Sequence, residues 1–267
     1  MSKIKDVIKI RARPNLNEPV LLAAWPGIAN VAMIVVTYIA RKLEAKELAE
    51  VRAPYFFDPI GVMVRNNVVE EPQFPQSRFY YWKNPNGNDI ILFIGEAQPT
   101  TNGYELANCI VDAAEHFKVR RIFTCAAAVT RIHHTENPKV LGVGTSDEVM
   151  KALSPHSLVN GGNLQISGMN GILLGVAKER KIEGACLLGE VPNYTTRMHN
   201  PIAALAVVLA LSKILKIQID HTELMMAAIA VREHMKQVAA DAMGEYIDYF
   251  TEPIWERNED DSDEYDD

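Results

Sequence analysis

Short apolar runs alternate with stretches of helical periodicity along most of the chain. Residues 20–25 and 90–94 are continuous apolar runs, which is typical of strands that are buried on both faces of a sheet. Residues 29–43 repeat apolar side chains at the spacing of one helical face. This alternation predicts a mostly parallel sheet with helices on both faces. The predicted fold class is therefore α/β, a three-layer α/β/α sandwich with a mostly parallel sheet.

The rest of the pattern brings the predicted total to roughly six or seven strands, with helices between them. Apolar runs predict further strands at 45–51, 62–64, 79–82, 121–126, 140–143 and 184–188, although 45–51 also suits a helix. Helical periodicity predicts helices at 103–117, 147–153, 168–180, 201–214 and 222–240. Asp220 and either Thr101 or Asn102 are candidate helix caps. Because Asn86 and Gly87 form a strong hairpin signal, residues 52–88 predict a small β-rich insertion at one edge of the sheet.

The charge of the chain is concentrated near its C-terminal end. The net charge is −7, and residues 258–267 hold seven acidic side chains without Lys or Arg, so the remaining residues are electrically balanced. A balanced body gives no support for nucleic-acid binding. We expect a single domain over residues 1–250 and an acidic, disordered tail over residues 251–267. The tail either keeps the protein in solution or docks on a partner through Tyr265.

Cysteine usage and hydropathy indicate a cytoplasmic protein. The three cysteines, Cys109, Cys125 and Cys186, are widely spaced and form no C-x-x-C pair, which favours reduced thiols. No apolar run of signal-peptide type follows the first residues. The most apolar stretch, residues 201–215, is too short to span a bilayer and predicts a buried helix. We therefore expect no membrane partner.

Polar, glycine and proline residues follow three of the predicted strands. They are Trp25, Pro26, Gly27 and Asn30 after the first strand, Gly95, Glu96, Gln98 and Pro99 after the second, and Gly189, Glu190 and Pro192 after the third. Ligands of open α/β sheets bind at the carboxyl ends of strands, so Glu96 and Glu190 are candidates for acid–base chemistry in a shared cleft. The favoured alternative is that each Glu accepts hydrogen bonds from backbone N–H groups at a helix start.

Other chemical motifs are incomplete. The run from His133 to Glu136 lacks the Pro-Cys-x-x-Cys of zinc deaminases, and the glycines at 142 and 144 lack the rest of a phosphate loop. The cysteines lie in apolar runs, where thiols are usually inert. We therefore predict no catalytic residue, no metal and no cofactor.

Aromatic residues cluster near the C-terminus in a segment too short to form its own core. The cluster consists of Tyr246, Tyr249, Phe250 and Trp255. Exposed aromatic clusters mark interfaces, so these residues are predicted to bind protein, either another copy or a partner. The methionines at 225, 226 and 235 are predicted to fill the core.

Five motifs in this order resemble the proteasome assembly chaperone family, in particular the archaeal and bacterial relatives of the second assembly chaperone. They are residues 25–30, 95–99 with 104–107, 166–172 with Asn170 and Gly171, 187–192 with Tyr194, and 201–205. The resemblance covers residues from about 20 to 240 and implies the nucleoside-phosphorylase-like sandwich. It also implies homo-oligomerisation and binding to proteasome α-type subunits or to a second assembly chaperone.

The C-terminal end departs from that family. Some members end in a hydrophobic residue, then Tyr, then any residue, whereas this sequence ends with Glu264, Tyr265, Asp266 and Asp267. A partner that lacks the motif, or one that recruits a second chaperone, therefore fits better than direct docking of the tail. Three hypotheses stay open: a non-enzymatic assembly factor, which is favoured; a small-metabolite phosphorylase, hydrolase or ligase that uses Glu96, Asn170 and Glu190; and a purely structural homo-oligomer.

Overall fold

The computed structural model describes the backbone of residues 7–251 and the side chains of residues 7–237. The strands are β1 (Ile8–Ile10), β2 (Val20–Ala24), β3 (Lys46–Val51), β4 (Gly61–Arg65), β5 (Val68–Gln73), β6 (Ser77–Trp82), β7 (Ile90–Gly95), β8 (Arg121–Thr130), β9 (Val140–Gly144), β10 (Val159–Asn160) and β11 (Glu183–Pro192). The helices are α1 (Val31–Lys42), α2 (Gly103–His116), α3 (Asp147–Leu153), α4 (Met169–Glu179), α5 (Pro201–Leu215) and α6 (Thr222–Thr251).

Nine of these strands form one sheet in the order β1-β3-β6-β7-β2-β8-β11-β9-β10. The four central strands, β7, β2, β8 and β11, run parallel to one another. Towards the two sides, β6, β3 and β1 alternate in direction, and β9 is antiparallel to β11. The sheet is thus parallel where it is most deeply buried, because parallel strands need cover on both faces.

Helices cover both faces of the sheet, so the predicted α/β/α sandwich is confirmed. All five residues of β2 are buried, and their side chains alternate between two cores. Leu22 and Ala24 pack in the core that contains α1 and α5, whereas Leu21 and Ala23 pack in the core that contains α2 and α4. A strand that is apolar at every position is the sequence signature of this arrangement.

The predicted β-rich segment 52–88 divides into two parts. Strand β6 lies inside the main sheet between β3 and β7, whereas β4 and β5 form a separate two-stranded hairpin. At the tip of this hairpin, Asn66 and Asn67 have φ angles of 50° and 63°, as a two-residue hairpin turn requires. All of β4 is exposed.

Several elements extend beyond their predicted bounds. Strands β8 and β11 pair over ten residues, from Arg121 with Glu183 to Thr130 with Pro192; the alanines at 126–128 give little strand signal in the sequence. Helix α6 runs to Thr251 instead of residue 240, past Gly244, which weakens the helical signal. No helix of the described residues is long and apolar enough to cross a membrane.

None of the three cysteines, all of which lie within residues 7–237, forms a disulfide. Cys125 and Cys186 are buried on the neighbouring strands β8 and β11. Burial raises the pKa of Cys186 to about 12 and that of Cys125 well above its ordinary value. Both thiols therefore stay protonated at neutral pH, which makes them poor nucleophiles.

Candidate functional site

The carboxyl ends of the four central strands lie along one edge of the sheet. Ile94 of β7 is in register with Ala24 of β2, and β8 and β11 continue the same parallel order. The three strand ends singled out in the sequence therefore meet at this edge. We call the edge the strand-end site.

Asn170 on the first turn of α4 fastens the end of β2. Its Oδ1 accepts a hydrogen bond from the backbone N–H of Trp25 at 3.2 Å, and its Nδ2 donates to the Trp25 carbonyl at 3.4 Å. The Asn170 side chain is 4% exposed, so both of its polar ends need partners. The Trp25 ring itself is fully buried and packs on Phe93 with ring centroids 4.9 Å apart.

Gln98 joins three chain segments at the strand-end site. Its Nε2 donates to the Pro26 carbonyl at 2.6 Å, and its Oε1 accepts from the backbone N–H of Met169 at 3.0 Å. That N–H is one of the donors that the start of α4 leaves without a partner inside the helix. Gly168, just before the helix, has a φ of 70°, a conformation that favours glycine.

Two glycines of the family motifs are required by close packing. An ideal Cβ on Gly171 would lie 1.9 Å from the carbonyl oxygen of Ile166, and one on Gly95 would lie 2.3 Å from Nε1 of Trp25. Gly189 is nearly as confined, with the carbonyl of Ala203 2.8 Å away. These positions bring chain segments together, and none of them needs a ligand to explain it.

Residues 27–30 form a strained turn beside the site. Ala29 and Asn30 have φ angles of 51° and 54°, which non-glycine residues seldom adopt. Hydrogen bonds of 2.9 Å from Ala29 N–H to the Thr196 carbonyl, and from Asn200 N–H to the Ala29 carbonyl, hold the turn in place. Asn30 precedes α1 without a side-chain capping bond.

Glu96 and Glu190 are separated and each binds backbone. Oε2 of Glu96 accepts from the N–H of Gln76 at 2.8 Å, and Oε2 of Glu190 accepts from the N–H of Lys139 at 2.8 Å. Gln76 and Lys139 directly precede β6 and β9, so each carboxylate fixes the start of a strand instead of a helix. Strands β2 and β8 lie between them, which places their backbones roughly 14 Å apart. The structure thus supports the structural alternative for both residues.

A cavity of about 260 Å³ opens at the strand-end site. Its lining consists of Gly27, Ile28, Ala32, Gln98, Ala126, Ala127, Gln165, Ile166, Ser167, Gly168, Asn170 and Leu188. None of these described residues is ionisable, and the amides of Gln98 and Asn170 are already hydrogen-bonded to backbone. The cavity can accept an apolar or neutral hydrogen-bonding group, and its lining offers no acid or base.

Tyr194 and His134 form a second cluster, which the sequence did not predict. The Tyr194 hydroxyl accepts from the backbone N–H of His134 at 3.0 Å and lies 3.0 Å from His134 Nδ1. Burial, then the nearby His133, Lys236 and Arg232, lowers the pKa of His134, so its ring is neutral at neutral pH. Cationic neighbours disfavour a bound metal ion, and no group of three or more potential metal ligands occurs within residues 7–237.

This cluster anchors helix α6 on the body. Arg232 donates to Asn137 Oδ1 at 3.2 Å, and Met235 is 3% exposed. Near the start of the helix, Glu223 pairs with Arg41 at 2.7 Å. Glu190 and Pro192 line the same junction, so they lie apart from the cavity at the strand-end site.

The C-terminal residues predicted to bind protein are placed only in part. Tyr246, Tyr249 and Phe250 lie on the backbone of α6, but their side chains, and all of Trp255 and Tyr265, lie outside the described residues. Of the predicted core methionines, Met235 is buried, whereas Met225 and Met226 are 42% and 60% exposed beside Ile229. The core prediction for these two was wrong, because Leu224, Ala228 and Met235 form the buried face of α6 and leave Met225 and Met226 outside it.

A larger groove of about 820 Å³ lies between α2 and the residues before the hairpin. The sequence did not predict it. Tyr55 and Tyr104 face it, and Arg180 at its rim is bound by Asp112 and Glu115 at 2.9 and 2.8 Å. Of the motifs identified in the sequence, the one at 104–107 is the one that includes residues of this groove.

Comparison with known proteins gives consistent results. Pyrococcus furiosus PbaB, described as an archaeal proteasome activator, is 30% identical with a TM-score of 0.74, over 87% of this chain and 98% of PbaB. Pyrococcus furiosus PbaA, described as an archaeal homolog of proteasome-assembly chaperone, is 23% identical with a TM-score of 0.67, over 86% of this chain and 96% of PbaA. An uncharacterized protein of Methanocaldococcus jannaschii is 26% identical over 88% of this chain and 86% of its own.

The resemblance to proteasome assembly chaperone relatives, inferred from the five motifs, is confirmed by these matches. The family model covers residues 21–239, which include the whole strand-end site and the junction that anchors α6. The chain therefore belongs to the PAC2 family.

Proposed function

We propose that this protein is a non-enzymatic, proteasome assembly chaperone-like factor of the cytoplasm that self-associates and binds proteasome α-type subunits or a second assembly chaperone. The observation that carries the proposal is the similarity to PbaB, a proteasome activator, at 30% identity over nearly all of that protein. The similarity to PbaA supports the same fold. Family membership alone does not fix a function, so the properties of the surface matter as well.

The polar groups of the strand-end site support a structural role. Asn170 and Gln98 each use both ends of the amide to bind backbone, and Glu96 and Glu190 each bind the N–H group before a strand. Groups engaged in this way position chain segments and are not free to transfer protons. The alternative of a small-metabolite enzyme at Glu96, Asn170 and Glu190 is therefore the weaker proposal.

Exposed apolar residues on α6 support a protein partner. Met225, Met226 and Ile229 form an apolar stripe on the outside of this helix, and the helix leads to the aromatic cluster at Tyr246, Tyr249, Phe250 and Trp255. Large apolar side chains that cluster on a surface are typical of interaction sites, and flexible methionines adapt to a partner surface.

Affinity capture from the cytosol of the native host tests this function. The bait is the full-length protein, bound proteins are identified by mass spectrometry, and the size of the bait is measured by light scattering. We expect proteasome α-type subunits or a second assembly chaperone to be captured. A bait that captures neither would contradict the proposal and turn attention to metabolites at the strand-end cavity.

Two truncations locate the binding segment. Ending the chain after Glu252 removes Trp255 together with the acidic tail, whereas ending it after Arg257 removes residues 258–267, in which Tyr265 is the one aromatic residue. We expect the first truncation to lose the captured subunits and the second to retain them. Capture that survives both truncations would show that Trp255 is not required for binding.

A further inference from the structure

The hairpin of β4 and β5 stands apart from both cores of the protein. Every residue of β4 is exposed, and the side chains of Val62, Val64, Val68 and Val69 are between 52% and 67% exposed. An isolated two-stranded hairpin is at best marginally stable in water. An apolar hairpin of this kind is therefore expected to be covered by another surface.

The two outer edges of the hairpin differ in their ability to pair with another strand. Strand β5 carries Glu70, Glu71 and Pro72, and the register shift leaves two of its residues opposite Met63 alone. Charges, proline and bulges are the devices that prevent an edge strand from pairing. Strand β4 is regular in the same region and has no charge or proline from Gly61 to Val64. The outer edge of β4 is thus open, that is, able to pair with another strand.

We propose that two copies of this chain pair through the open edge of β4, antiparallel and related by a two-fold axis at Met63. The strand order across the interface is then β5-β4-β4-β5, a four-stranded sheet. The proposal goes beyond the function above in naming an interface, and it rests on the self-association included there.

The sequence of β4 is self-complementary in this register. Val62 lies opposite Val64 of the partner subunit, and Gly61 lies opposite Arg65 of the partner subunit, so no like charges face each other. Arg65 keeps its own neighbour Glu70 at 3.0 Å. Pairing through β5 instead would bring Glu70 and Glu71 of the two copies together, and like charges on facing strands are destabilising. Charge repulsion thus disfavours pairing through β5 and leaves β4 as the pairing strand. Because the sequence of β4 is complementary to itself, its partner is a second copy of this chain.

Cysteine crosslinking tests the register. In the proposed pair the Cα atoms of the two Met63 residues are about 4.5–5.5 Å apart, within the span that a disulfide bridges. We expect Met63→Cys, made in a Cys109→Ser background, to form a covalent dimer under mild oxidation. The two remaining cysteines, Cys125 and Cys186, are buried and do not compete.

Val69→Cys in the same background is the matched control. Val69 is 63% exposed, compared with 45% for Met63, but it lies on the outer strand, roughly 14 Å from its equivalent across three strand spacings. We expect at least a tenfold slower crosslink for Val69→Cys. Equal crosslinking at both positions would contradict the proposed register.

Light scattering separates this interface from self-association in general. An oligomer in which Met63→Cys fails to crosslink overturns the β4 interface and leaves self-association standing. A monomer at all concentrations overturns both. A dimer that dissociates when Val62 and Val64 are replaced by lysine, and forms again when this variant is mixed with one carrying glutamate at both positions, supports the pairing of Val62 with Val64.

Discussion

Gly171 has no room for a side chain, since a Cβ would lie 1.9 Å from the Ile166 carbonyl oxygen. Backbone at this distance cannot move aside cheaply, so α4 or the segment before it would have to shift. We expect Gly171→Ala to lower the free energy of unfolding by about 1–3 kcal/mol, the usual cost of overpacking. Denaturant unfolding followed by circular dichroism measures it.

Gly175 in the same helix provides the control. Apart from its chain neighbours and the backbone of its own helix, no atom lies within 4 Å of its ideal Cβ, so alanine there only improves helix propensity. Gly175→Ala is expected to raise the free energy of unfolding by up to about 1 kcal/mol. Similar losses in both variants would mean that helix α4, and not the contact with Ile166, determines the effect.

Sequence reasoning identified the residues of the strand-end site but not their partners. The glycines and amides stood out because they follow buried strands, and parallel strands bring such residues to one edge. Asn170, however, binds a residue 145 positions away, and Gln98 binds residues 71 and 72 positions away. No local pattern encodes such distances, so their structural role becomes visible only in the fold.

At the scale of the element, the start of α6 is sensitive to pH. Asp220 accepts a hydrogen bond from the Thr222 backbone N–H at 3.0 Å and lies 3.4 Å from Nζ of Lys42. The bonds from Thr222, followed by Lys42, lower the pKa of Asp220 from 3.8 to about 2. The folded state therefore favours the carboxylate, which stabilises the protein above about pH 4 and stops doing so as the pH falls towards 2.

Replacement by asparagine isolates this contribution. The amide side chain of such a variant would still accept from Thr222 but would carry no charge, so we expect Asp220→Asn to weaken the pH dependence of stability between about pH 4 and 2. Carboxyl NMR should place the Asp220 titration near 2 in the wild type. A titration near 3.8, its ordinary value, would show that the contacts with Thr222 and Lys42 do not persist in solution.

Elements with strong periodicity were predicted well, and those set by tertiary pairing were not. The buried strands β2 and β7 and the helix α2 follow from apolar patterns alone. The strands β1 and β10 have three and two residues, too few to show a period. The position of β6 between β3 and β7 could not be predicted either, because a strand pattern does not reveal its neighbours.

At the scale of the whole molecule, the hairpin of β4 and β5 should be dispensable for folding. Ile60 donates to the Gln73 carbonyl at 2.6 Å, so two glycines can join these residues in place of 61–72. Because neither core includes residues of the hairpin, we expect the shortened protein to keep its thermal midpoint within a few degrees. Calorimetry at a concentration where both proteins are monomeric measures this, and a large drop would show that the hairpin supports the body.

The position of β2 in the sheet has a consequence for the time course of synthesis. Val20 pairs with Ile90 on one side and with Arg121 on the other, so the central strand is made first and its neighbours follow much later. Because Ile90 follows Val20 by about 70 residues, the ribosome needs roughly 4–14 s to reach the first neighbour at about 5–20 residues per second. During that interval an entirely apolar strand has no neighbouring strand within its own chain. The nascent protein, itself proposed to assist the assembly of others, therefore depends on being kept from premature contacts with other proteins.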